Sequence, residues 1–525
     1  MFEIRCAALC AVLLMAQASF SQTPGWPSAG YDLRDSHWAP GETKLNSENV
    51  SGLAVKWKFT TQDDVSATPS VDSTGSYVYF PDWSGNLYKL STASGATVWT
   101  HTMTDYGLPA GMMSRTTPTL YGEKVIIGAS IPLAESESDP NPFGAYLLAL
   151  NSSDGSLIWS TLLDPDLNAI STASPAIYNG IAYVGVSSTE EGLTHPTFRG
   201  SLVAVSLATG EILWRTHFVP SNYSGAPVWS STPVIDVARR QIYVTTGNNY
   251  LVPLSVQLCE QGVLGNPGAL LTCQAENNYE DSIVALDLAT GTVKWGRRCS
   301  PADAYITPCR SGGKTCPDPE GLDLDFGAGA NLFTTTINGV PTQLVGAGQK
   351  SGIYWAVSPS TGVPAWYTVV GPSGKLGGIE WGTASDNQRI YVPVVNSAQQ
   401  TYTLQPSGLS WNGSYWAALD AATGSILWQV PDPGQSTVFP AEHALTLGPL
   451  TVANGVVYVP SMSGHMYALD AASGATLWSF QAPGSVNAAP AVVNGTLYWG
   501  SGYHHFPIKQ PIGTASNVFY AFSLP

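Results

Sequence analysis

The sequence predicts an all-β fold, an eight-bladed β-propeller closed by its own N-terminal strand. Three observations predict it. Segments resembling YALDAASGATLW recur seven times and end at Trp99, Trp159, Trp214, Trp295, Trp366, Trp428 and Trp478. Each follows an apolar element of strand length, among them SYVYFPD, IAYVGVSS, QIYVTTGN and RIYVPVV. Finally, an eighth set begins at Ala489-Pro490 and stops before its Trp, whereas LAVKWKF around Trp57 is a fourth strand without a predecessor. The N-terminal strand therefore completes the last blade, and closure removes the exposed sheet edges that an open array would keep.

Taken in chain order, the first residues read as an export signal: Arg5, an apolar run from Ala7 to Met15, then the small-x-small Ala16-Gln17-Ala18. Residues 1–18 are expected to be removed, leaving one propeller domain over 19–525 in a periplasmic or secreted protein. No later stretch is long and apolar enough for a membrane span. Within each repeat, alternating apolar residues around a Gly-containing turn give a pair of half-buried strands. The earlier Thr-Pro and Ser-Pro steps, at Thr68-Pro69, Thr117-Pro118, Ser174-Pro175 and Thr232-Pro233, mark the innermost strands. The Trp at fixed register is expected to pack between blades. The longest interval, Trp214 to Trp295, implies an insertion, and a Cys-containing excursion is expected around 251–320. An oxidising compartment permits disulfides there, and short-loop pairing gives Cys259 to Cys273 and Cys309 to Cys316 with Cys299 left over, although spacing does not fix connectivity.

Composition excludes several functions. Charged residues make up 11% of the chain, against about 25% ordinarily. With 21 basic and 37 acidic residues the net charge is −16, which argues against nucleic acid as a partner. No Cys-x-x-Cys-His is present, so covalent c-type haem is excluded.

In an antiparallel blade the start of the first strand and the end of the second meet at one edge, and in a propeller these edges ring the mouth of the central channel. First-strand starts offer Arg115, Thr172, Trp229, Asp325 and Trp381. Second-strand ends offer Ser187, Ser188, Thr189, Glu190, Asn248 and Lys350. Singly each has an ordinary explanation, Asn248 as a turn residue or Glu190 and Glu191 as a solvated pair. Their convergence on one rim, in a chain so poor in charge, points to a polar site. His443, His504 and His505 match no metal-ligand spacing and read as rim residues.

The motifs SRTTP, VGVSSTEEG, VTTGNNY, DFGAGANLF, GAGQKSGIYWA and GGIEWGTA resemble those of quinoprotein alcohol dehydrogenases, in particular polyvinyl alcohol dehydrogenase and its relatives, over essentially the whole mature chain. The resemblance implies an enzyme with pyrroloquinoline quinone (PQQ) on the propeller axis and Ca2+ beside it. By that resemblance Glu190, Asn248 and Asp325 hold calcium, and Asp325 is the catalytic base. Trp229 stacks on PQQ, and Arg115 and Lys350 meet its carboxylates and quinone oxygen. Thr172, Ser187, Ser188, Thr189, Glu380 and Trp381 complete the cofactor site. Lanthanide-using relatives carry a carboxylate two positions after the base, where this chain has Gly327, which implies calcium. Adjacent cysteines found in some relatives are replaced by GLPAGMMSR, and VSATP stands where others present a Glu. The implied substrate is an alcohol, secondary and including polyvinyl alcohol or its oligomers, and electrons leave to a separate acceptor, a cytochrome c. The rival expectation is a non-catalytic propeller serving as a binding or assembly scaffold.

Overall fold

The computed structural model describes residues 25–131, 144–313, 315–439, 442–505 and 511–525, so the expected export signal lies outside the described residues. Eight antiparallel sheets follow one another around an axis, seven of four strands and the third widened to five by Ala169–Ile170. Blade one is Ser70–Val71, Tyr77–Pro81, Asn86–Ser91 and Thr97–Thr102. Blades two to seven occupy 119–164, 176–217, 234–298, 331–369, 384–431 and 451–481. Blade eight takes Ala491–Val493, Thr496–Gly500 and Val518–Ser523 from the end of the chain, and its outer strand, Ala54–Thr60, from the beginning. The innermost strands touch their neighbours in an unbroken ring, blade eight meeting blade one.

The repeat signature has a specific packing cause. Seven of the eight repeat indoles donate their N–H to a backbone carbonyl of the following blade: Trp57 to Thr92, Trp99 to Ser152, Trp159 to Leu207, Trp295 to Pro359, Trp366 to Ala421, Trp428 to Ala471 and Trp478 to Leu53. For Trp57, Trp99, Trp159, Trp295, Trp366 and Trp428 the Gly of that blade's turn lies under the ring. At Gly424, where φ is +74°, a Cβ would come within 2.4 Å of the Trp366 indole. Trp and Gly thus recur together because each indole needs a neighbour with no side chain.

Residues 26–39 follow a route that the repeats do not foretell. Trp26 pairs with Val71 of blade one, and Pro27 accepts from Leu120 of blade two. Leu33, Arg34, Ser36 and His37 then accept the amides of Ile235, Leu332, Ser385 and Val452, on blades four to seven. The segment therefore satisfies inner-strand groups that have no ladder partner on the channel side. Left-handed backbone at Tyr31, Asp35 and His37 (φ +74°, +51° and +51°) lets it curve around the axis.

The insertion in blade four forms two short helices, Leu254–Gly262 and Pro267–Cys273, tied by a Cys259–Cys273 disulfide. A second disulfide, Cys309–Cys316, closes the loop before blade five, and Cys299 is free. Among the described residues no helix is long and apolar enough to cross a membrane.

Candidate functional site

All eight blades line one axial cavity, through Ser66, Arg115, Thr172, Ser230, Gly329, Trp381, Pro449 and Asn487 among others. Each lies at or before the start of an innermost strand, as the antiparallel geometry requires. Ala29, Asp35 and His37 of the N-terminal segment line the same cavity. The VSATP stretch contributes only the small side chains of Ser66, Ala67 and Thr68, and no carboxylate.

On one side of the axis the structure assembles a buried ionic cluster. Lys350 Nζ lies 2.8 Å from Asp325 Oδ2 and 2.8 Å from Asp323 Oδ1. Asp325 Oδ1 accepts the Asn248 amide N–H at 2.6 Å. Burial alone would push the Lys350 ammonium down, but Asp323, Asp325, Glu380 and Glu191 around it raise it well above the ordinary lysine range. It is therefore a fixed cation. Asp323 was not singled out from sequence: it stands two residues before Asp325 in LDLDF, with left-handed backbone (φ +62°) rather than an extended strand.

Polar atoms around this cluster lack partners. Asn248 spends its Nδ2 on the carbonyls of Asn249 and Tyr305 at 2.9 and 3.0 Å, leaving Oδ1 buried and unbonded. Glu380 Oε1 and Trp229 Nε1 are likewise buried without a partner. Burial raises the Glu380 carboxyl to about 8, against the pull of Lys350. Its Oε2 sits 2.7 Å from where a Cβ on Gly327 would be, so the space for a side chain at that position is already taken by a carboxylate.

The glutamates of VGVSSTEEG divide differently from expectation. Glu190, the expected calcium ligand, turns away from the cluster: its Oε2 accepts the amides of Thr197 and Phe198 at 2.5 and 2.6 Å. Glu191 is the one coupled to Asp325, Lys350 and Arg310, and burial followed by Asp325 raises it to about 7. Both stand in the tight turn Thr189–Gly192, a 3-10 helix in which consecutive side chains diverge by about 120°. Only one of two adjacent residues can face the axis. The 3-10 helix Thr307–Ser311, which leads into the Cys309–Cys316 loop, meets Glu191 on its outer side, where Thr307 donates to it and Arg310 bonds the Tyr305 hydroxyl at 2.9 Å. Tyr305 in turn receives Asn248. Sequence reading noted the cysteines but had no signal for what this segment meets.

The remaining predicted residues ring the axis. Thr172 Oγ1 is 2.9 Å from Ser187 Oγ and donates to the Trp229 carbonyl at 3.1 Å. Ser188 caps the Thr189 turn by accepting the Glu190 amide. Ser230 donates its amide to the Gly327 carbonyl, linking the Trp229 segment to that of Asp325. Across the cavity Arg115 bonds the Tyr503 hydroxyl at 3.1 Å and lies over the Trp83 ring, while Trp381 packs against Tyr503. Tyr503 and Trp83 were not expected.

These orphaned atoms fit a planar, anionic, oxygen-rich group with a hard cation. Asn248 Oδ1, Asp325 and Glu191 are hard oxygen donors of the kind calcium takes. Arg115 and Lys350 are cations for carboxylates, and Trp229 is an aromatic platform with an unused N–H.

Comparison with known proteins agrees. The family model PQQ_2, described as outer membrane protein assembly factor BamB, matches residues 49–297 and 412–514. A polyvinylalcohol dehydrogenase of Sphingopyxis sp. (strain 113P3) is 29% identical over 494 residues, covering 79% of this chain and 69% of its own length. A second polyvinylalcohol dehydrogenase, from Pseudomonas sp., is 26% identical, covering 84% and 65%. In three dimensions the chain is similar to the quinohemoprotein alcohol dehydrogenase of Comamonas testosteroni, with a TM-score of 0.69, 20% identity and coverage of 97% of this chain and 81% of that one. A europium-containing methanol dehydrogenase gives a TM-score of 0.68 at 15% identity, covering 95% and 98%. The chain belongs to the PQQ_2 family of propellers, and its relatives within that fold are the quinoprotein alcohol dehydrogenases.

Proposed function

We propose that the protein is an exported PQQ- and calcium-dependent alcohol dehydrogenase acting on secondary alcohols, polyvinyl alcohol or its oligomers among them, with a separate cytochrome c as electron acceptor. The observation that carries this reading is the set of unpartnered buried atoms, Asn248 Oδ1, Glu380 Oε1 and Trp229 Nε1, together with the buried Lys350–Asp325 ion pair to one side of the axis. Each unbonded buried polar atom costs about 1–3 kcal/mol, a cost that a bound cofactor and cation would offset at this site.

Arg115, Lys350, Trp229, Thr172, Ser187 and Trp381 would hold PQQ, and Glu191, Asn248 and Asp325 would hold calcium. When bound, the pair supplies a hydride acceptor and a Lewis acid. Lys350 and the Asn248 amide fix the Asp325 carboxylate, one on each oxygen, and leave each oxygen a free lone pair. Asp325 then takes the proton of the alcohol hydroxyl as general base. Lys350, 2.8 Å from Oδ2, keeps that carboxylate oriented. The ring of Thr172, Ser187 and Trp229 sets the cofactor platform, and Arg115, held by Tyr503, fixes the opposite wall.

The test uses the purified chain with PQQ, calcium, an artificial electron acceptor and a panel of primary and secondary alcohols. The visible absorbance of added PQQ should shift on binding, and Asp325→Asn should lower turnover by about 10²- to 10⁴-fold while still retaining PQQ. Near wild-type turnover in that variant would overturn the mechanism, and absence of PQQ binding would overturn the function.

A further inference from the structure

Two segments far apart in sequence meet beside the mouth with ligand chemistry that the reading above does not use. Asp63-Asp64 lies in the connection from the closing strand Ala54–Thr60 to blade one, and His504-His505 in blade eight after the strand Thr496–Gly500. Asp64 Oδ2 is 2.8 Å from His504 Nδ1, and His505 Nε2 is 2.9 Å from both oxygens of Asp63. One ligand atom from each of the four residues lies within 4.8 Å of the other three.

The surroundings favour a cation. The Asp64 side chain is 1% exposed, and no Lys or Arg among the described residues pairs with either carboxylate. Adjacent residues of an extended chain send their side chains to opposite sides, yet here both imidazoles turn the same way, with ring centroids 3.8 Å apart. His505 is braced by the Trp83 ring at 5.1 Å and an interplanar angle of 14°. Asp64 is pinned by the amides of His504 and Ser516 at 2.6 and 3.0 Å. Both imidazoles are about one third exposed, which gives solvent access.

We propose that Asp63, Asp64, His504 and His505 form a second metal site, taking a divalent first-row transition ion such as Zn2+ or Cu2+ rather than calcium. Two imidazole nitrogens with two carboxylate oxygens are a borderline donor set, whereas calcium takes oxygen alone. Ligands about 2.0–2.2 Å from such an ion stand at most about 4.4 Å apart, so the cluster needs only a small contraction. The ion would staple blade eight to the start of blade one at the closure of the ring. It would also hold the wall formed by Trp83 and Tyr503.

The experiment adds Zn2+ to the full mature chain, free of PQQ and with calcium saturating, and follows binding by calorimetry and Tm. Wild type should take up one equivalent and gain Tm. Asp63→Asn and His505→Ala should each weaken binding by at least about 10- to 100-fold, the loss that even an outer-shell partner produces, with metal-free Tm showing that each still folds. In parallel, the electron paramagnetic resonance spectrum of one equivalent of Cu2+ should show two imidazole nitrogens in wild type and one in His505→Ala. The proposal is overturned if Zn2+ leaves Tm unchanged. It is equally overturned if binding persists undiminished in both variants, which would place the ion at the Glu191 cluster, or if the copper spectrum carries no imidazole nitrogen.

Discussion

Exchanging Glu190 and Glu191 one at a time separates a structural carboxylate from a metal-facing one. Glu190 Oε2 accepts the Thr197 and Phe198 amides, at 2.5 and 2.6 Å, and the Asp166 carboxyl also bonds this side chain. In Glu190→Gln the amide oxygen can still accept both N–H groups, so the loss is the difference between charged and neutral bonds, about 1 kcal/mol each. In Glu190→Ala the buried Phe198 N–H loses its acceptor, at a cost of about 2–3 kcal/mol, while Thr197 is exposed and turns to water. Both variants should therefore lower Tm, Ala more than Gln, and leave calcium affinity in place. Glu191→Gln should do the opposite. It removes a carboxyl that burial already holds at about 7 beside Asp325 and Lys350, without breaking a backbone contact, so Tm of the metal-free chain at neutral pH does not fall while calcium binding weakens by tenfold or more, about 1.4 kcal/mol per decade. Calcium titration by calorimetry, alongside Tm in chelator, reads both quantities. If Glu190→Gln abolished calcium binding and Glu191→Gln did not, the assignment drawn from the Thr189 turn would be refuted.

Trp229→Ala should weaken PQQ retention first, with turnover partly recovered at saturating cofactor; equilibrium dialysis against kcat distinguishes this from a folding defect. Gly424→Ala places a methyl 2.4 Å from the Trp366 ring at a φ of +74°, and should cost several kcal/mol, seen as a fall in Tm without a change in PQQ affinity. Glu280 is buried and its carboxyl is raised to about 8, chiefly by desolvation. The folded chain thus holds this proton where the unfolded chain has released it, and the contribution to stability, full below about pH 4.5, is lost as pH rises through about 8. Glu280→Gln should accordingly raise Tm at pH 9 relative to wild type and leave it unchanged near pH 4; an equal shift at both pH values would contradict the buried neutral acid.

By itself the sequence determined the propeller, its eight blades and its closure, because one local rule repeats: a Trp at fixed register needs a carbonyl and a side-chain-free Gly on the next blade. It also determined which chain positions surround the axis, since alternation in antiparallel strands sends every first-strand start to one mouth, and Arg115, Thr172 and Trp381 all line the cavity. Short-loop pairing anticipated both disulfides, but spacing left the connectivity open and only the structure pairs Cys259 with Cys273 and Cys309 with Cys316. Only the tertiary structure decided which of Glu190 and Glu191 faces Asp325, because one residue of rotation in a tight turn reverses the answer and no periodicity marks it. The same holds for the channel-lining course of residues 26–39 and for the Thr307–Ser311 helix beside Glu191. The meeting of Asp63-Asp64 with His504-His505 arises from ring closure itself. A closed ring makes neighbours of residues separated by 440 positions, and no local pattern in either segment records that the other will be there.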